Sequence, residues 1–252
     1  MKIMLNHVSF AYKEAGSGFA TLFLHGSRDR KEVFDSLIPF LKNDLRVLFM
    51  DLRSHGDSEV TQSGFSYEQF VDDIHQLIRG KKIQQLNLVG HSLGGVLTLL
   101  FSLQHPELIH KIVLLGTSAS FVPKFKRPIS GSVINAKIIE ETNLQAMPFF
   151  FLPEFPHVQE FILAHWSRMH PSVHERLIKM GHFDCRSSLE KINVPTLIVC
   201  GEKDRICPIE SGQLLHKQIS GSVLKVIEGT GHFMFMEKPT EVARELLSFL
   251  KE

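Results

Sequence analysis

Short stretches dominated by Val, Ile, Leu and Phe recur along the chain, and a Gly, Asp or Ser closes the apolar part of each. They are ATLFLHG, LRVLFMD, LNLVGHS, HKIVLLGT, PTLIVCGEKD and VLKVIEGTGH. Such runs are typical of strands buried on both faces, and they alternate with stretches of helical spacing at 31–42, 66–79, 92–104, 209–218 and 240–250. The pattern predicts an α/β fold, in which helices cover both sides of a mostly parallel sheet.

Two segments depart from this alternation. Residues 2–14 alternate apolar and polar side chains and end at the turn 14–18, which predicts an antiparallel hairpin at the edge of the sheet. The segment between Gly116 and Pro195 is far longer than a usual connection of about two to six residues. We therefore expect a core formed by residues 1–118 and 189–252 and an inserted helical cap at 119–188, with helices around 132–146 and 157–180.

Composition and charge exclude several classes of protein. The chain has 252 residues, of which 43% are hydrophobic and 22% charged, so it can bury a large core. Its net charge of +1 lacks the basic excess that binding to a nucleic acid requires. No apolar run reaches the roughly 20 residues that span a bilayer, and the first residues do not form the apolar part of a signal peptide. These features predict a cytoplasmic protein with no membrane span and no nucleic-acid partner.

The three cysteines add little chemistry. Cys185, Cys200 and Cys207 are odd in number and form no CxxC pair, so the sequence supports neither a disulfide framework nor a thiolate zinc site. We expect no metal and no cofactor.

The most informative motif is Gly90-His91-Ser92-Leu93-Gly94, which follows the apolar run 86–89 and precedes a helical stretch. A G-x-S-x-G sequence between a strand and a helix is typical of a nucleophile elbow, a strained turn that exposes a serine hydroxyl. Glycines two residues before and after the serine let the strand and the helix approach each other closely. Ser92 is the candidate nucleophile.

A serine hydroxyl needs a base to take its proton, and the base needs an acid to orient it. Asp204 follows the run PTLIVCGEK and His232 follows VLKVIEGTG, so both are expected at the sheet edge where Ser92 emerges. Glu202 is the alternative acid, although it lies within the strand end. The predicted triad is Ser92, Asp204 and His232.

The oxyanion formed by attack on a carbonyl requires preorganised hydrogen-bond donors. The backbone N–H of Leu93, at the start of the helix, is one candidate. The loop Leu24-His25-Gly26-Ser27 follows an earlier strand and can supply the backbone N–H of Ser27 as the second.

Taken together, the sequence resembles the α/β-hydrolase superfamily over essentially its full length. The resemblance is carried by LHGS at 24–27, DLRSHGDS at 51–58, GHSLGG at 90–95, GEKDRICP at 201–208 and GTGH at 229–232. It implies an eight-stranded, mostly parallel sheet, a lid after the sixth strand and the triad named above. The 51–58 segment matches a turn that is largely structural in the family, so we assign no chemistry to His55 or Asp57. We also expect His91 to point away from the nucleophile.

Within the superfamily, a serine nucleophile favours acyl-enzyme chemistry over the epoxide hydrolases and haloalkane dehalogenases, which use an aspartate. The chain resembles small serine carboxylesterases, including those acting on acyl chains linked to a carrier protein. We therefore predict hydrolysis of small-molecule carboxylic esters. Carbon–carbon bond hydrolysis, lactone hydrolysis, acyl transfer and perhydrolysis remain open on the same triad. So does a different class, a ligand-binding receptor without turnover.

Two features of the cap bear on the substrate. Its phenylalanines form an apolar pocket for an acyl chain or seal the cap onto the core, and the sequence leaves both open. They are Phe121, Phe125, Phe149, Phe150, Phe151, Phe155 and Phe161. The basic residues Lys124, Lys126 and Arg127 would attract an acidic carrier protein that presents the ester. The oligomeric state is unknown from sequence.

Overall fold

The computed structural model describes residues 1–121, 147–180 and 182–251, and its centre is an eight-stranded sheet of order β1-β2-β4-β3-β5-β6-β9-β10. These strands are β1 (Lys2–Leu5), β2 (Val8–Ala15), β3 (Phe19–Leu24), β4 (Leu45–Met50), β5 (Leu86–His91), β6 (Ile109–Leu115), β9 (Thr196–Gly201) and β10 (Val223–Ile227). Strands β1 and β2 pair with antiparallel neighbours, and all other pairings are parallel. The predicted α/β fold is confirmed.

The edge hairpin forms where the alternating pattern predicts it, but its tight turn lies inside the stretch 2–14. Asn6 and His7 both have positive φ angles, 48° and 64°, and join β1 to β2. A two-residue turn with left-handed backbone at both positions matches the twist of the flanking strands. The turn at 16–18 instead leads from β2 to β3, which does not pair with β2.

The sheet is covered on both faces because successive residues of its central strands point to opposite sides. In β3, Leu22 and Leu24 belong to one apolar cluster and Phe23 to the other. Helices α2 (Tyr67–Gly80), α3 (Leu93–Gln104) and α6 (Ile209–Gln218) contribute to the first cluster, and helix α8 (Pro239–Lys251) contributes to the second. The short helices are α1 (Ile38–Leu41) and α7 (Met234–Glu237). This burial on both faces explains the continuous apolar runs of the sequence.

The helix predicted at 31–42 is a 3-10 helix over Lys31–Leu37, followed by the α-helical turn α1. Pro39 explains the difference, because it has no N–H to continue the hydrogen-bond ladder and fits best in the first turn of a helix. Two further 3-10 helices lie at Pro106–Leu108 and Arg186–Lys191.

Within the predicted cap, the structure describes residues 119–121, 147–180 and 182–188, and 147–150 form a helical segment. The helix predicted at 157–180 is two helices, α4 (Pro156–Trp166) and α5 (Pro171–Lys179), because Pro171 holds the preceding His170 in an extended conformation. A small antiparallel ribbon, β7 (Ser120–Phe121) with β8 (Phe183–Asp184), joins the two ends of the cap. The predicted helix at 132–146 and the basic residues Lys124, Lys126 and Arg127 lie outside the described residues.

The cap packs on the second apolar cluster, through Phe151, Val158, Ile162 and Trp166. Among the described helices, none is both long enough and apolar enough to cross a bilayer.

Candidate active site

Ser92 occupies the sharp turn between β5 and α3. Its backbone has φ 51° and ψ −114°, a left-handed conformation that costs a non-glycine residue free energy. The turn is held by two hydrogen bonds: the Ser92 N–H donates to the Leu115 carbonyl at 3.0 Å, and the Thr117 hydroxyl donates to the Ser92 carbonyl at 2.7 Å. The strained elbow predicted from the sequence is present.

The glycines around Ser92 are required by close packing. A side chain at Gly90 would collide with the backbone of Gly94, and one at Gly94 would collide with the carbonyl of Leu24. Strand β5, helix α3 and the end of β3 therefore meet without intervening side chains, which brings the loop after β3 to Ser92.

Asp204 and His232 form a buried pair. Their side chains are almost wholly inaccessible, and His232 Nδ1 lies 2.8 Å from Asp204 Oδ2. The other oxygen, Oδ1, accepts the N–H groups of Ile206 at 2.8 Å and Cys207 at 2.9 Å, so the carboxylate has a fixed orientation. Because a carboxylate only accepts, Nδ1 of the ring carries the proton and Nε2 is left as a base.

Two glycines let the loops that carry this pair come together. A side chain at Gly201, the last residue of β9, would collide with the backbone carbonyl of Gly231. Asp204 comes three residues after Gly201 and His232 directly follows Gly231. The close contact of the two backbones thus sets the carboxylate against the ring.

The turn after β6 lies between Ser92 and the Asp204–His232 pair. Leu115 accepts the Ser92 N–H, and a Cβ on the following Gly116 would lie 3.2 Å from Asp204 Oδ2 and 3.5 Å from His232 Nδ1. On its other side, Ser92 Cβ would lie 3.3 Å from a Cβ on Gly26. The structure therefore gathers the three predicted triad residues and the loop 24–27 at one edge of the sheet.

Glu202, the alternative acid, binds the backbone of the turn after β10. It is exposed, and its Oε2 accepts the Gly229 N–H at 2.7 Å, which stabilises the turn after β10. The structure leaves Asp204 as the acid in contact with the histidine.

His91 lies against His232. Its Nε2 donates to the His232 carbonyl at 3.0 Å, and the two rings lie 4.6 Å apart. Burial holds the pKa of His91 well below its ordinary value, so the ring is neutral. Since Nε2 carries the hydrogen, Nδ1 is an acceptor, and among the described residues it has no hydrogen-bond partner.

Asp29 links the site to the cap. Its Oδ1 accepts the indole N–H of Trp166 at 3.0 Å, and its Oδ2 lies 3.9 Å from Nδ1 of His91. The guanidinium of Arg28 stacks on the Trp166 ring, 3.8 Å from its centroid. Burial raises the pKa of Asp29 to about 6, although the hydrogen bond from Trp166 opposes the shift. Asp29 is thus a buried carboxyl that titrates close to neutral pH.

The cap phenylalanines divide between the two roles that the sequence left open. Phe151 stacks on Phe233 at 5.7 Å and is buried, so it seals the cap onto the core. Phe150 is half-buried, and its ring lies 5.5 Å from that of His232. Phe149 is 39% exposed. Phe125 lies outside the described residues.

A sequence profile described as "Alpha/beta hydrolase family" matches residues 21–245 of the chain, which decides its family. The chain belongs to this alpha/beta hydrolase family. It is 27% identical to the uncharacterized hydrolase YugF of Bacillus subtilis, an alignment that covers 90% of this chain and 88% of the relative.

Two solved structures illustrate the similarity of this alpha/beta hydrolase to known proteins. An esterase from Exiguobacterium antarcticum is 27% identical, with a TM-score of 0.80 and coverage of 100% of this chain and 99% of that chain. The enol-lactonase from Burkholderia xenovorans LB400 is 20% identical, covers all of both chains and has a TM-score of 0.91. The lactonase shares the fold, and the esterase also shares more of the sequence.

The 51–58 segment of this hydrolase contributes two carboxylates to a cluster around the buried ammonium of Lys31. Glu32, Asp51 and Asp57 place carboxylate oxygens within 4.8 Å of one another. The ammonium of Lys31 lies among them, at 2.9, 2.8 and 2.7 Å respectively. A cation of the chain itself therefore occupies the position that a metal ion would need.

Sequence reasoning missed the contact between Asp29 and Trp166 and the hydrogen bond from His91 to the His232 carbonyl. The only signal for Asp29 is a carboxylate two residues after the LHGS motif. Its partner Trp166 is 137 positions away, which no local pattern reveals.

Proposed function

We propose that this alpha/beta hydrolase is a cofactor-independent serine hydrolase that cleaves carboxylic esters through an acyl-enzyme. The observation that carries the proposal is the buried Asp204–His232 pair at the sheet edge where the strained Ser92 lies. The esterase from Exiguobacterium antarcticum, at 27% identity, supports the same chemistry. Carbon–carbon hydrolysis, lactone hydrolysis and acyl transfer use the same groups, and no contact among the described residues favours them.

In the first step, the Ser92 hydroxyl oxygen attacks the ester carbonyl carbon, and His232 Nε2 takes the hydroxyl proton. Asp204 stabilises the imidazolium through Nδ1. The N–H groups of Ser27 and Leu93 donate to the oxyanion. Leu93 is suited to this role because the first N–H groups of a helix have no acceptor within the helix.

In the second step, the tetrahedral intermediate collapses, and the imidazolium gives its proton to the departing alcohol. Water then attacks the carbonyl carbon of the acyl-enzyme, and His232 Nε2 takes a proton from the water. When the second tetrahedral intermediate collapses, the imidazolium returns this proton to the Ser92 oxygen, and the free acid leaves. Each proton thus moves between His232 and an oxygen of the substrate, the serine or water.

The substrate we propose is a small-molecule ester whose apolar part contacts Phe150. This ring lies beside His232 and remains partly accessible, as a ligand-facing side chain must. The proposal extends to an ester whose acyl chain is linked to an acidic carrier protein, for which Lys124, Lys126 and Arg127 are the proposed contacts. Cys185, Cys200 and Cys207 are buried, and the cytoplasm is the compartment that we propose for this reaction.

The test is steady-state hydrolysis of p-nitrophenyl esters of increasing acyl length. Ser92→Ala is expected to abolish multiple turnovers, because it removes the atom that forms the acyl-enzyme. Ser248→Ala, which changes an exposed serine on α8, is the matched control and should leave kcat/KM unchanged. Equal activity of Ser92→Ala and the unmodified protein would refute the nucleophile. Stoichiometric binding of an ester without turnover would favour a receptor.

A further inference from the structure

The backbone around His232 is held on both sides of the residue. The carboxylate of Glu237 accepts the Gly231 N–H at 2.5 Å, directly before the histidine. The N–H of Phe233, directly after it, also favours the ionised carboxylate. The His232 carbonyl is itself fixed by His91. One acidic side chain therefore interacts with the backbone directly before and directly after the catalytic base.

This carboxyl group is buried and only partly satisfied. Glu237 is 7% exposed, and among the described residues its Oε1 has no hydrogen-bond partner. Oε1 and the side chain of Leu152, from the cap, both lie against the Cα of Gly231, at 3.3 and 3.2 Å from the position of a Cβ. An apolar cap residue thus helps to keep water from an acidic group next to the active site.

We propose that Glu237 is a positioning residue that fixes the loop carrying His232 and whose negative charge stabilises the imidazolium formed during catalysis. The inference rests on the proposed serine-hydrolase function. Glu237 reaches the reaction through the histidine and its backbone, and it takes no proton from the substrate.

The electrostatic part of the inference follows from the groups around the carboxyl. Burial raises the pKa of Glu237 to about 7, while the Gly231 N–H and the nearby His232 lower it. Asp204 is the other charged group acting on it, and its like charge opposes ionisation. Leu152 offers no charge from the cap side. A proton on His232 therefore favours ionised Glu237, and ionised Glu237 favours the protonated ring by the same free energy.

Glu237→Gln tests the charge while keeping the size and an acceptor oxygen. A nearby opposite charge shifts the pKa of a group by about one to three units, and we use the lower value here. We therefore expect the acid-side midpoint of the kcat/KM profile to move about one unit lower, kcat to fall about tenfold, and KM for a p-nitrophenyl ester to stay within about twofold. Glu241→Gln, four residues later and in a surface ion pair with Lys238 at 3.5 Å, is the matched control and should change none of these quantities.

Glu237→Asp separates the effect of the negative charge from the effect of side-chain length. It also provides the test if Glu237→Gln does not fold. The shorter side chain keeps the charge but loses the Gly231 hydrogen bond, so the midpoint should stay in place while kcat falls. A midpoint that moves in Glu237→Asp as far as expected for Glu237→Gln would overturn the electrostatic role.

A readout independent of turnover is the protonation midpoint of the His232 ring, followed by NMR in the Ser92→Ala background. It should fall when Glu237→Gln is added. An unchanged midpoint, with Ser92-dependent turnover intact, overturns the role of Glu237 and leaves the hydrolase standing. If turnover does not depend on Ser92, the proposed function fails, and the NMR midpoint still decides whether Glu237 acts on His232.

Discussion

Asp29→Asn is the substitution for which the structure predicts the clearest dependence of stability on pH. Burial raises the pKa of Asp29 from 3.8 to about 6 in the folded protein. Between these two values the folded state holds a proton that the unfolded state has lost, so stability falls as pH rises. Asparagine keeps the acceptor for the Trp166 indole, does not ionise, and therefore lacks this cost.

The size of the effect follows from the two pKa values. The cost of ionising Asp29 grows from about 1.6 kcal/mol at pH 5 to about 3 kcal/mol at pH 8, by proton linkage. The free energy of unfolding of Asp29→Asn, relative to that of the unmodified protein, should therefore rise by about 1.4 kcal/mol between these pH values. For a domain of this size, that corresponds to a relative rise in Tm of roughly 3–6 °C.

The assay is urea-induced unfolding of both proteins at pH 5 and pH 8, with equal slopes required before the free energies are compared. Asp44→Asn, which changes an exposed carboxylate, is the control and should show a difference that is flat with pH. A flat difference for Asp29→Asn as well would refute the reasoning, because it would mean that Asp29 ionises equally in the folded and unfolded states.

Two further substitutions test buried polar contacts. Trp166→Phe keeps the ring packing but removes the N–H donated to Asp29, so it should cost about 1–3 kcal/mol of unfolding free energy at pH 8, measured by urea titration; no loss would show that this hydrogen bond does not anchor the cap. Arg53→Ala leaves the buried Asp73 carboxylate without the guanidinium that binds it at 2.8 and 2.5 Å, and the expected cost is about 3–5 kcal/mol by the same measurement. A cost below about 1 kcal/mol would show that water reaches Asp73.

The strands and the arrangement of the site could be predicted because both follow from local sequence. Runs such as LRVLFMD are apolar on both faces, which happens in a sheet covered on both sides. Gly90 and Gly94 mark the elbow because no other residue fits there, and Asp204 and His232 follow the ends of parallel strands, which must meet at one edge.

The rest depends on interactions that local patterns do not encode. The turn at Asn6 and His7 lacks the glycine that usually marks a left-handed pair, so nothing in the sequence divides the hairpin there. Pro39 and Pro171 do signal breaks, but helical periodicity continues across both and favours longer helices. The contact between Trp166 and Asp29 joins two segments that become neighbours only after the chain has folded.

The loop after β3 has a consequence for exchanging parts between relatives. Ser27, the proposed oxyanion donor, and Asp29, which binds Trp166 of the cap, are two residues apart, with Arg28 stacked on the same indole between them. The cap is therefore not a module that can be transplanted at its two chain connections alone. A chimera that takes its cap from another alpha/beta hydrolase must take residues 28 and 29 from that donor too, or it will disturb the backbone next to the proposed oxyanion site.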